Sequence, residues 1–387
     1  MERYVFMGIN NSKDKQNKQN YIILIVLFIF QAISNALRDD EIYSFDNIKT
    51  VVLILVIITF TSEILLNHIK ITYLKNESRI IFCWYLLLLL ISIFWMSKNN
   101  SWNSAPFITG GLRLLLPIIM ACLIVNLIPF EYIYKAMYIF LIISFISFLI
   151  NSIVMGRFSF SEIFTLSLSN STGSAMESNF FSPTAISLCC FFGYFRKKKT
   201  PLILSVIFTI LTYKRLMAIF AIFLFIFGSF IKNKKVAIWI RVLVGIFFFE
   251  ITVWYIQLSL GQVIDNLIFK YLGQSVDQFT MGRSWFFKNL YFSGLPKSGL
   301  FSSLNTIYRS PEMDLPVMFI EMGYSAIVVT IVALIAIAKN SLYNLIVIVF
   351  VLFEMLTSHF LDITFFWIIL YILIGLVNEN QKGILKI

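Results

Sequence analysis

Charged residues are scarce in this chain. Asp, Glu, Lys and Arg make up only 13% of its 387 residues, while hydrophobic residues make up 59%. Soluble domains carry about 25% charged residues, because a folded surface in contact with water needs them. The composition therefore excludes a water-soluble enzyme. It predicts an all-α, multi-pass integral membrane protein whose single membrane domain covers residues 1–387.

Cysteine and histidine are also few. The four cysteines all lie inside apolar stretches, so the sequence predicts neither a disulfide framework nor a CxxC metal site. Two histidines cannot build a histidine-rich metal cluster, and no GxxxxGK[ST], GxGxxG or HExxH motif occurs. Since such motifs hold phosphates, dinucleotides or zinc, we expect no cofactor, no bound metal and no nucleotide-driven transport by this chain alone.

Basic residues exceed acidic ones, with 31 Lys and Arg against 20 Asp and Glu. In a soluble protein this excess would suggest a nucleic-acid partner. Here the cations form short clusters between long apolar runs, a pattern that the positive-inside rule of membrane proteins explains. The predicted partner is therefore membrane lipid, and no nucleic-acid partner is expected.

Twelve apolar segments are long enough, or nearly so, to cross a hydrocarbon core of ~30 Å, which takes about 20 helical residues. They are Tyr21–Leu37, Ile48–Leu66, Ile80–Met96, Phe107–Leu127, Ile133–Val154, Phe180–Phe195, Pro201–Tyr213, Leu216–Ile231, Val236–Leu258, Leu315–Ala338, Leu342–Leu356 and Ile363–Val377. No small-residue cleavage site follows the first segment, so we expect it to remain as the first of about 12 transmembrane helices.

Lys and Arg collect on one side of these spans, before the first and after the second, sixth and eighth. By the positive-inside rule this side is cytoplasmic, which predicts two cytoplasmic termini. The longest extracytoplasmic connection is then residues 259–314, between spans nine and ten. Compact domains seldom keep so long a loop without a use, and we expect the chemistry or recognition to face outward.

Four charged residues lie inside the spans or deep between them, where charge is costly. Arg113 and Glu321 fall ~9 and ~10 Å below the outer ends of spans four and ten. Lys214 and Arg215 join spans seven and eight, whose short apolar runs reach only ~20 Å from the cytoplasmic side. The shared depth predicts a cationic, water-filled cavity that opens outward. In the alternative, Glu321 neutralises one cation and the other cations extend to the interface.

Three short motifs carry a resemblance to a known family. Thr212-Tyr213-Lys214-Arg215 ends a short span with a polar residue and two cations, and Met281-Gly282-Arg283-Ser284-Trp285 combines Gly-Arg with a following Trp. Asp314 and Phe319–Tyr324 then close the long loop with an Asp and a Glu-x-Gly pattern. Together with the predicted spans and the dominant late loop, these motifs resemble the Wzy-type repeat-unit polymerases of bacterial O-antigen and capsule synthesis.

The resemblance implies glycosyl transfer on the outer face of the bacterial inner membrane. A glycan leaves undecaprenyl pyrophosphate and joins a hydroxyl group of a new lipid-linked repeat unit, without nucleotide or metal. Asp314 or Glu321 is the implied base, and a chain-length regulator and a flippase are the implied partners. The implied pyrophosphate ligands are cations, which can stabilise the departing charge: Arg113, Lys214, Arg215, Arg283 and Arg309.

Other functions are compatible with the same features. A flippase or transporter of lipid-linked glycans shares the span count but usually has two similar halves. An O-antigen ligase shares the architecture and the donor but carries a histidine in the large outer loop, which residues 259–314 lack; His359, in another outer turn, keeps this alternative open. A structural scaffold would not explain the recessed cations. Asp314, two residues before Pro316, is alternatively only the N-cap of a helix.

The orientation is testable with reporter fusions. We expect a reporter placed after Ser275 to be active on the extracytoplasmic side and one placed after Lys199 to be active in the cytoplasm, because Lys and Arg cluster beside the second position. Alkaline phosphatase and green fluorescent protein distinguish the two sides. Two reporters on the same side would contradict the twelve-span arrangement.

Overall fold

A computed structural model describes residues 2–39, 45–102, 104–156, 177–232, 234–261, 270–271, 273–280, 282–294, 299, 312–361 and 363–381. These residues form helices and one isolated bridge, and no strand occurs among them. In chain order the helices are α1 (Glu2–Asp39), α2 (Phe45–Leu66), α3 (Lys75–Lys98), α4 (Ser104–Leu127), α5 (Phe130–Val154), α6 (Phe181–Tyr194), α7 (Lys199–Leu211), α8 (Arg215–Ile231), α9 (Ile238–Ser259), α10 (Val276–Phe279), α11 (Arg283–Phe292), α12 (Asp314–Met322), α13 (Tyr324–Ile337), α14 (Leu342–Thr357) and α15 (Thr364–Gln381).

The helices are those of a membrane protein. Seven of them, α1 to α5, α9 and α15, are long and apolar enough to cross a membrane, and five shorter apolar helices accompany them. This confirms the predicted all-α membrane protein at the level of fold class, while the count of twelve spans stays a prediction. Between α9 and α12 the structure describes the two short helices α10 and α11.

Two helices form the centre of the bundle. All fourteen residues of α6 are buried, and α15 is buried from Phe365 to Glu379. A helix that is apolar all round must be enclosed by other helices or by lipid. Here α15 packs against α4 and α6, and α6 packs in addition against α5, α7 and α8.

The tenth predicted span, Leu315–Ala338, is wrong as a single helix. α12 ends at Met322 and α13 begins at Tyr324. Gly323 between them has φ 78° and ψ −175°, a backbone conformation that is open almost only to glycine. Apolar composition alone carries no signal for such a break, which explains the error.

The backbone freed at this break finds hydrogen-bond donors from elsewhere in the chain. The indole N–H of Trp95, on α3, donates to the carbonyl of Met322 (2.9 Å). The amide of Gly299 donates to the carbonyl of Glu321 (3.4 Å). Interrupted backbone inside a membrane protein is tolerated where the protein satisfies it in this way.

The predicted basic clusters meet at one end of the bundle, which we call the basic end. Lys197, after α6, pairs with Glu131 at the start of α5. Lys339, after α13, pairs with Glu77 in the first turn of α3. The side-chain amide of Asn378, near the end of α15, also donates to Glu77 (2.6 Å). These contacts fix the ends of α6, α13 and α15 and the starts of α3 and α5 on the same side.

Residues 16–20 of α1 and the end of α8 belong to the basic end as well. Gln16 and Asn20, on α1, both donate to Glu63 near the end of α2 (2.8 Å each). Lys232, after α8, lies over the ring of Tyr194 at 5.0 Å from the ring centre. Burial, together with the charge of Arg196, lowers the pKa of Lys232.

Arg196 links the end of α6 to α8 through hydrogen bonds. Its guanidinium donates to the carbonyl of Leu224 (2.5 Å), to the hydroxyl of Ser229 (2.6 Å) and to the carbonyl of Gly193 (3.0 Å). Gly228 makes room for this group, because a Cβ atom there would lie 2.6 Å from Arg196 Nη2 and 3.2 Å from Gly193 O.

We therefore expect Gly228→Ala to destabilise the protein by about 1–3 kcal/mol, the usual effect of forcing one extra carbon into a packed contact. Thermal unfolding in detergent measures the change. Gly245→Ala is the matched control, since a Cβ atom on that helical glycine would meet only Ile335 Cδ1, at 3.4 Å. Equal unfolding temperatures for the two variants would contradict the proposed packing role of Gly228.

Candidate functional site

The turn between α7 and α8 lies at the end of the bundle opposite the basic end. α7 has 13 residues and α8 has 17, about 20 and 25 Å of helix, whereas α3 and α5 have 24 and 25 residues. Tyr213 reverses the chain in the left-handed region, with φ 56°. The predicted short helices and their cationic turn are therefore present.

Lys214 and Arg215 open α8. Lys214 is the N-cap residue and forms no side-chain cap, and Arg215 is the first helical residue. The N-terminus of a helix carries partial positive charge, so two cations there favour a nearby anion. Nε and Nη2 of Arg215 are buried and have no hydrogen-bond partner among the described residues.

Carboxylates from other parts of the chain form ion pairs with Lys214 and with a further cation, Arg283. Lys214 Nζ lies 2.5 Å from Glu177 Oε1. Arg283, the first residue of α11, donates from Nη2 to Glu312 Oε2 (3.0 Å). Glu177 precedes α6 and Glu312 precedes α12, so each acid stands just before a buried helix.

A third carboxylate, Glu354, lies near the end of α14, the helix that packs against α8 and α12. It is only 2% exposed, one turn before the end of α14. Lys214 and Arg283 both lie close enough to act electrostatically on its charge. Its Oε1 atom has no hydrogen-bond partner among the described residues.

We call these side chains the charged cluster. Its members are Lys214, Arg215, Arg283, Glu177, Glu312 and Glu354. Their formal charges balance, with three cations and three carboxylates. The predicted group of Arg113, Lys214 and Arg215 with Glu321 stays a prediction. Glu177 and Glu312 pair with Lys214 and Arg283 only through the fold.

Asp314 and His359 form a second polar pair beside the cluster. Asp314 is buried at the start of α12, and its Oδ1 lies 2.5 Å from Nδ1 of His359. Its Oδ2 accepts from the amides of Phe360 (2.6 Å) and Leu361 (2.7 Å). An ionised carboxylate only accepts hydrogen bonds, so Nδ1 of His359 is the donor and Nε2 is the nitrogen that can take a proton. The His359 side chain is 21% exposed.

This geometry changes the role expected for Asp314. Met313 is the N-cap residue of α12, and Asp314 makes no cap hydrogen bond, so the N-cap interpretation is wrong. Both carboxylate oxygens of Asp314 are held, one by His359 and the other by the turn after α14. A carboxylate held in this way orients an imidazole ring. The pair is adjacent to the cluster along the chain, since Glu312 precedes Asp314 by two residues and His359 follows Glu354 by five.

The side-chain contacts described above do not include the predicted site residues Glu321 and Arg113. Glu321 is buried at the far end of α12, two turns from Asp314. Arg113 is exposed on α4, a helix that packs against α2, α3, α5 and α15. Arg309 lies outside the described residues. Their predicted shares in the site stay predictions.

Sequence reasoning missed Glu177 and Glu312, and it gave Glu354 and His359 no place among the site residues, although His359 kept the ligase alternative open. A weak signal existed for two of them, because Glu354 is an acid within an apolar run and His359 is one of only two histidines. Glu177 and Glu312 carry no signal, since acids in polar connections are ordinarily solvated. Among the described residues no group of three or more His, Cys, Asp or Glu side chains is arranged to hold a metal ion.

Comparisons with known proteins do not add an identity to this geometry. No protein-family model, no curated protein and no solved structure matches the chain.

The Asp314 contacts predict different effects of two substitutions on stability. Asp314→Ala leaves the Phe360 and Leu361 amides without an acceptor, and each unsatisfied buried donor costs about 1–3 kcal/mol. Asp314→Asn keeps an oxygen for both amides, so we expect it to unfold near the wild-type temperature. Thermal unfolding in detergent tests this order, and equal losses in both variants would contradict the assigned hydrogen bonds.

Proposed function

We propose that this protein is a membrane glycosyltransferase of the repeat-unit polymerase type. It joins undecaprenyl-pyrophosphate-linked oligosaccharide repeat units into O-antigen or capsular polysaccharide on the outer face of the bacterial inner membrane. The observation that carries the proposal is the charged cluster, in which Lys214 at the start of α8 and Arg283 at the start of α11 each pair with a carboxylate. Intramembrane charge of this kind marks a functional site by default.

The orientation follows from the two ends of the bundle. We place the basic end in the cytoplasm, as the positive-inside rule requires. Residues 16–20 of α1 and the end of α15 belong to that end, which supports two cytoplasmic termini. Seven long helices and five shorter ones give twelve spans if α12 and α13 together form one of them. The charged cluster and the connection that holds α10 and α11 then face outward.

The donor binds through its pyrophosphate. Arg215 and Arg283 each present a planar guanidinium that can hold two phosphate oxygens, and Lys214 adds a point charge. As the bond between the anomeric carbon and the phosphate oxygen breaks, the electron pair stays on the pyrophosphate and the cations stabilise it. The side chains of Glu177 and Glu312 are 31% and 41% exposed. They can rotate into solvent when the phosphate binds the cations with which they pair.

The acceptor hydroxyl loses its proton to His359. Its oxygen forms the new bond to the anomeric carbon while Nε2 of His359 takes the proton, and Asp314 stabilises the imidazolium through Nδ1–H. The products are the elongated glycan and undecaprenyl pyrophosphate. Asp314 is a positioning residue in this scheme, in place of the base role that the sequence suggested.

The Asp314–His359 pair also favours a second candidate, an O-antigen ligase-like transferase. Such an enzyme uses the same donor but passes the glycan to lipid A core, and its reaction likewise needs a positioned histidine. The acceptor distinguishes the two functions. Full-length protein supplied with lipid-linked repeat unit alone should yield a ladder of polymer on a gel, whereas a ligase needs lipid A core and yields a single transfer. A chain-length regulator and a flippase are the expected partners of the polymerase.

Arg215 is the residue that tests the pyrophosphate site most directly. We expect Arg215→Ala to abolish polymer in cells, with protein abundance and single-repeat glycan on the surface unchanged. Arg215→Lys should restore activity only in part, because an ammonium group does not hold two oxygens in a planar fork. The readout is the length distribution of surface polysaccharide.

Arg79→Ala is the matched control, because Arg79 is an exposed cation in the first turns of α3, at the basic end. It should leave polymer length unchanged. Full activity of Arg215→Ala would remove the pyrophosphate role, and equal losses in Arg215→Ala and Arg79→Ala would point to a general effect of charge on membrane insertion.

A further inference from the structure

Helix α9 presents a carboxylate on the side that faces away from the bundle. The buried residues of α9 share one side of the helix: Phe248, Thr252, Ile256 and Ser259. Glu250 is exposed, and it lies about 200° around the helix from both Phe248 and Thr252, because successive residues turn by about 100°. Glu250 has no hydrogen-bond or ion-pair partner among the described residues. Its carboxylate therefore points out of the protein.

The position of Glu250 along α9 places it in the hydrocarbon core of the membrane. α9 runs from Ile238 to Ser259 and is one of the seven helices that are long and apolar enough to cross. Glu250 is ~18 Å of helix from Ile238 and ~13 Å from Ser259. A glutamate side chain is too short to extend to either interface, as Lys and Arg do near helix ends. Charge that faces lipid at this depth is costly.

Carboxylates on other long helices are compensated within the protein. Glu63 on α2 accepts hydrogen bonds from two side chains of α1, and Glu77 on α3 pairs with Lys339. The described part of the fold brings no such group to Glu250. Ionisable groups inside a membrane are kept where they pair with another group, so the partner of Glu250 belongs to a different molecule.

The side chains around Glu250 form a surface suited to another helix. Leu243, Phe247 and Trp254 are 55%, 56% and 56% exposed, and together with Glu250 they are spaced by four, three and four residues. Helices that pack along one another contact through this spacing. Polar side chains within such a contact hydrogen-bond across membrane helices and hold them together.

We infer that the face of α9 formed by Leu243, Phe247, Glu250 and Trp254 binds a transmembrane helix of a partner protein, and that this helix carries a Lys or Arg at the depth of Glu250. The ion pair removes an uncompensated charge from lipid, and the apolar residues on either side of Glu250 pack against the partner. The inference is independent of the proposed glycosyl transfer, because it depends only on α9 crossing the membrane.

A second copy of this chain fits the same face less well. Two copies with one membrane orientation pair about a twofold axis along the membrane normal, and each then offers the same residues to the other. Glu250 would meet Glu250 of the other copy at the same depth, and like charges in contact repel. A cation on a different protein compensates the carboxylate directly.

The test measures binding of synthetic transmembrane helices to the purified full-length protein in lipid vesicles. Each probe is a Leu- and Ala-rich helix of about 20 residues with Arg, Leu or Glu at its centre. Energy transfer to a dye at the carboxyl terminus of the protein reports binding. We expect the wild type to bind the Arg helix about tenfold more tightly than the Leu helix, as a polar contact between membrane helices allows. Glu250→Gln should reduce this preference to about threefold or less, and Glu250→Lys should prefer the Glu helix.

Two phenylalanine variants locate the contact on α9. Phe247→Ala should weaken binding of the Arg helix about threefold through lost packing. Phe82→Ala is the matched control, because Phe82 is a 48% exposed phenylalanine on α3, and it should bind as the wild type does. This pair keeps the test decisive if Glu250→Lys fails to fold.

Equal binding of the Arg and Leu helices by the wild type would overturn the inference. An unchanged preference for Arg in Glu250→Gln and Glu250→Lys would do the same, since the cation would then be recognised elsewhere. Energy transfer between labelled copies of the protein that is lost in Glu250→Lys would assign this face of α9 to a second copy instead.

Discussion

The constraint on which this structure depends is the need to compensate charge inside an apolar bundle. The short helices α7 and α8 bring Lys214 and Arg215 below the ends of the longer helices, where an unpaired cation is costly. Glu177 forms an ion pair with Lys214. The hydroxyl of Ser178, the next residue in the chain, donates to Asp39 at the end of α1 (2.9 Å). This ion pair and this hydrogen bond together join the segment before α6 to the start of α8 and to the end of α1.

The two ends of the bundle pair their charges with different groups. At the basic end, Glu77 accepts from both Lys339 and Asn378, and Arg196 donates to groups of α6 and α8. At the other end, Lys214 and Arg283 each pair with a carboxylate that stands before a buried helix. Both ends keep buried polar atoms without a partner among the described residues, such as Arg241 Nε at the basic end and Arg215 Nε at the other.

The sequence was sufficient for the helices and for the cations, because both depend on local properties. Apolar run length predicted helix positions, and Lys214 and Arg215 stood out as charges between two short runs. The pairing of Asp314 with His359 joins residues 45 positions apart, and Glu177 meets Lys214 from 37 positions away. Such contacts depend on which helices pack together, which hydropathy does not encode. The break at Gly323 was missed because a single glycine looks the same whether or not its φ is positive.

That break has a consequence for the site. α12 has only nine residues, about 13 Å of helix, and both of its ends are held from outside. The turn after α14 bonds Asp314 at one end, and Trp95 bonds the carbonyl of Met322 at the other. Because Gly323 separates it from α13, α12 takes its direction from these contacts and not from the span that follows. The helix break at Gly323 therefore places Asp314, and through it the imidazole of His359, beside the charged cluster.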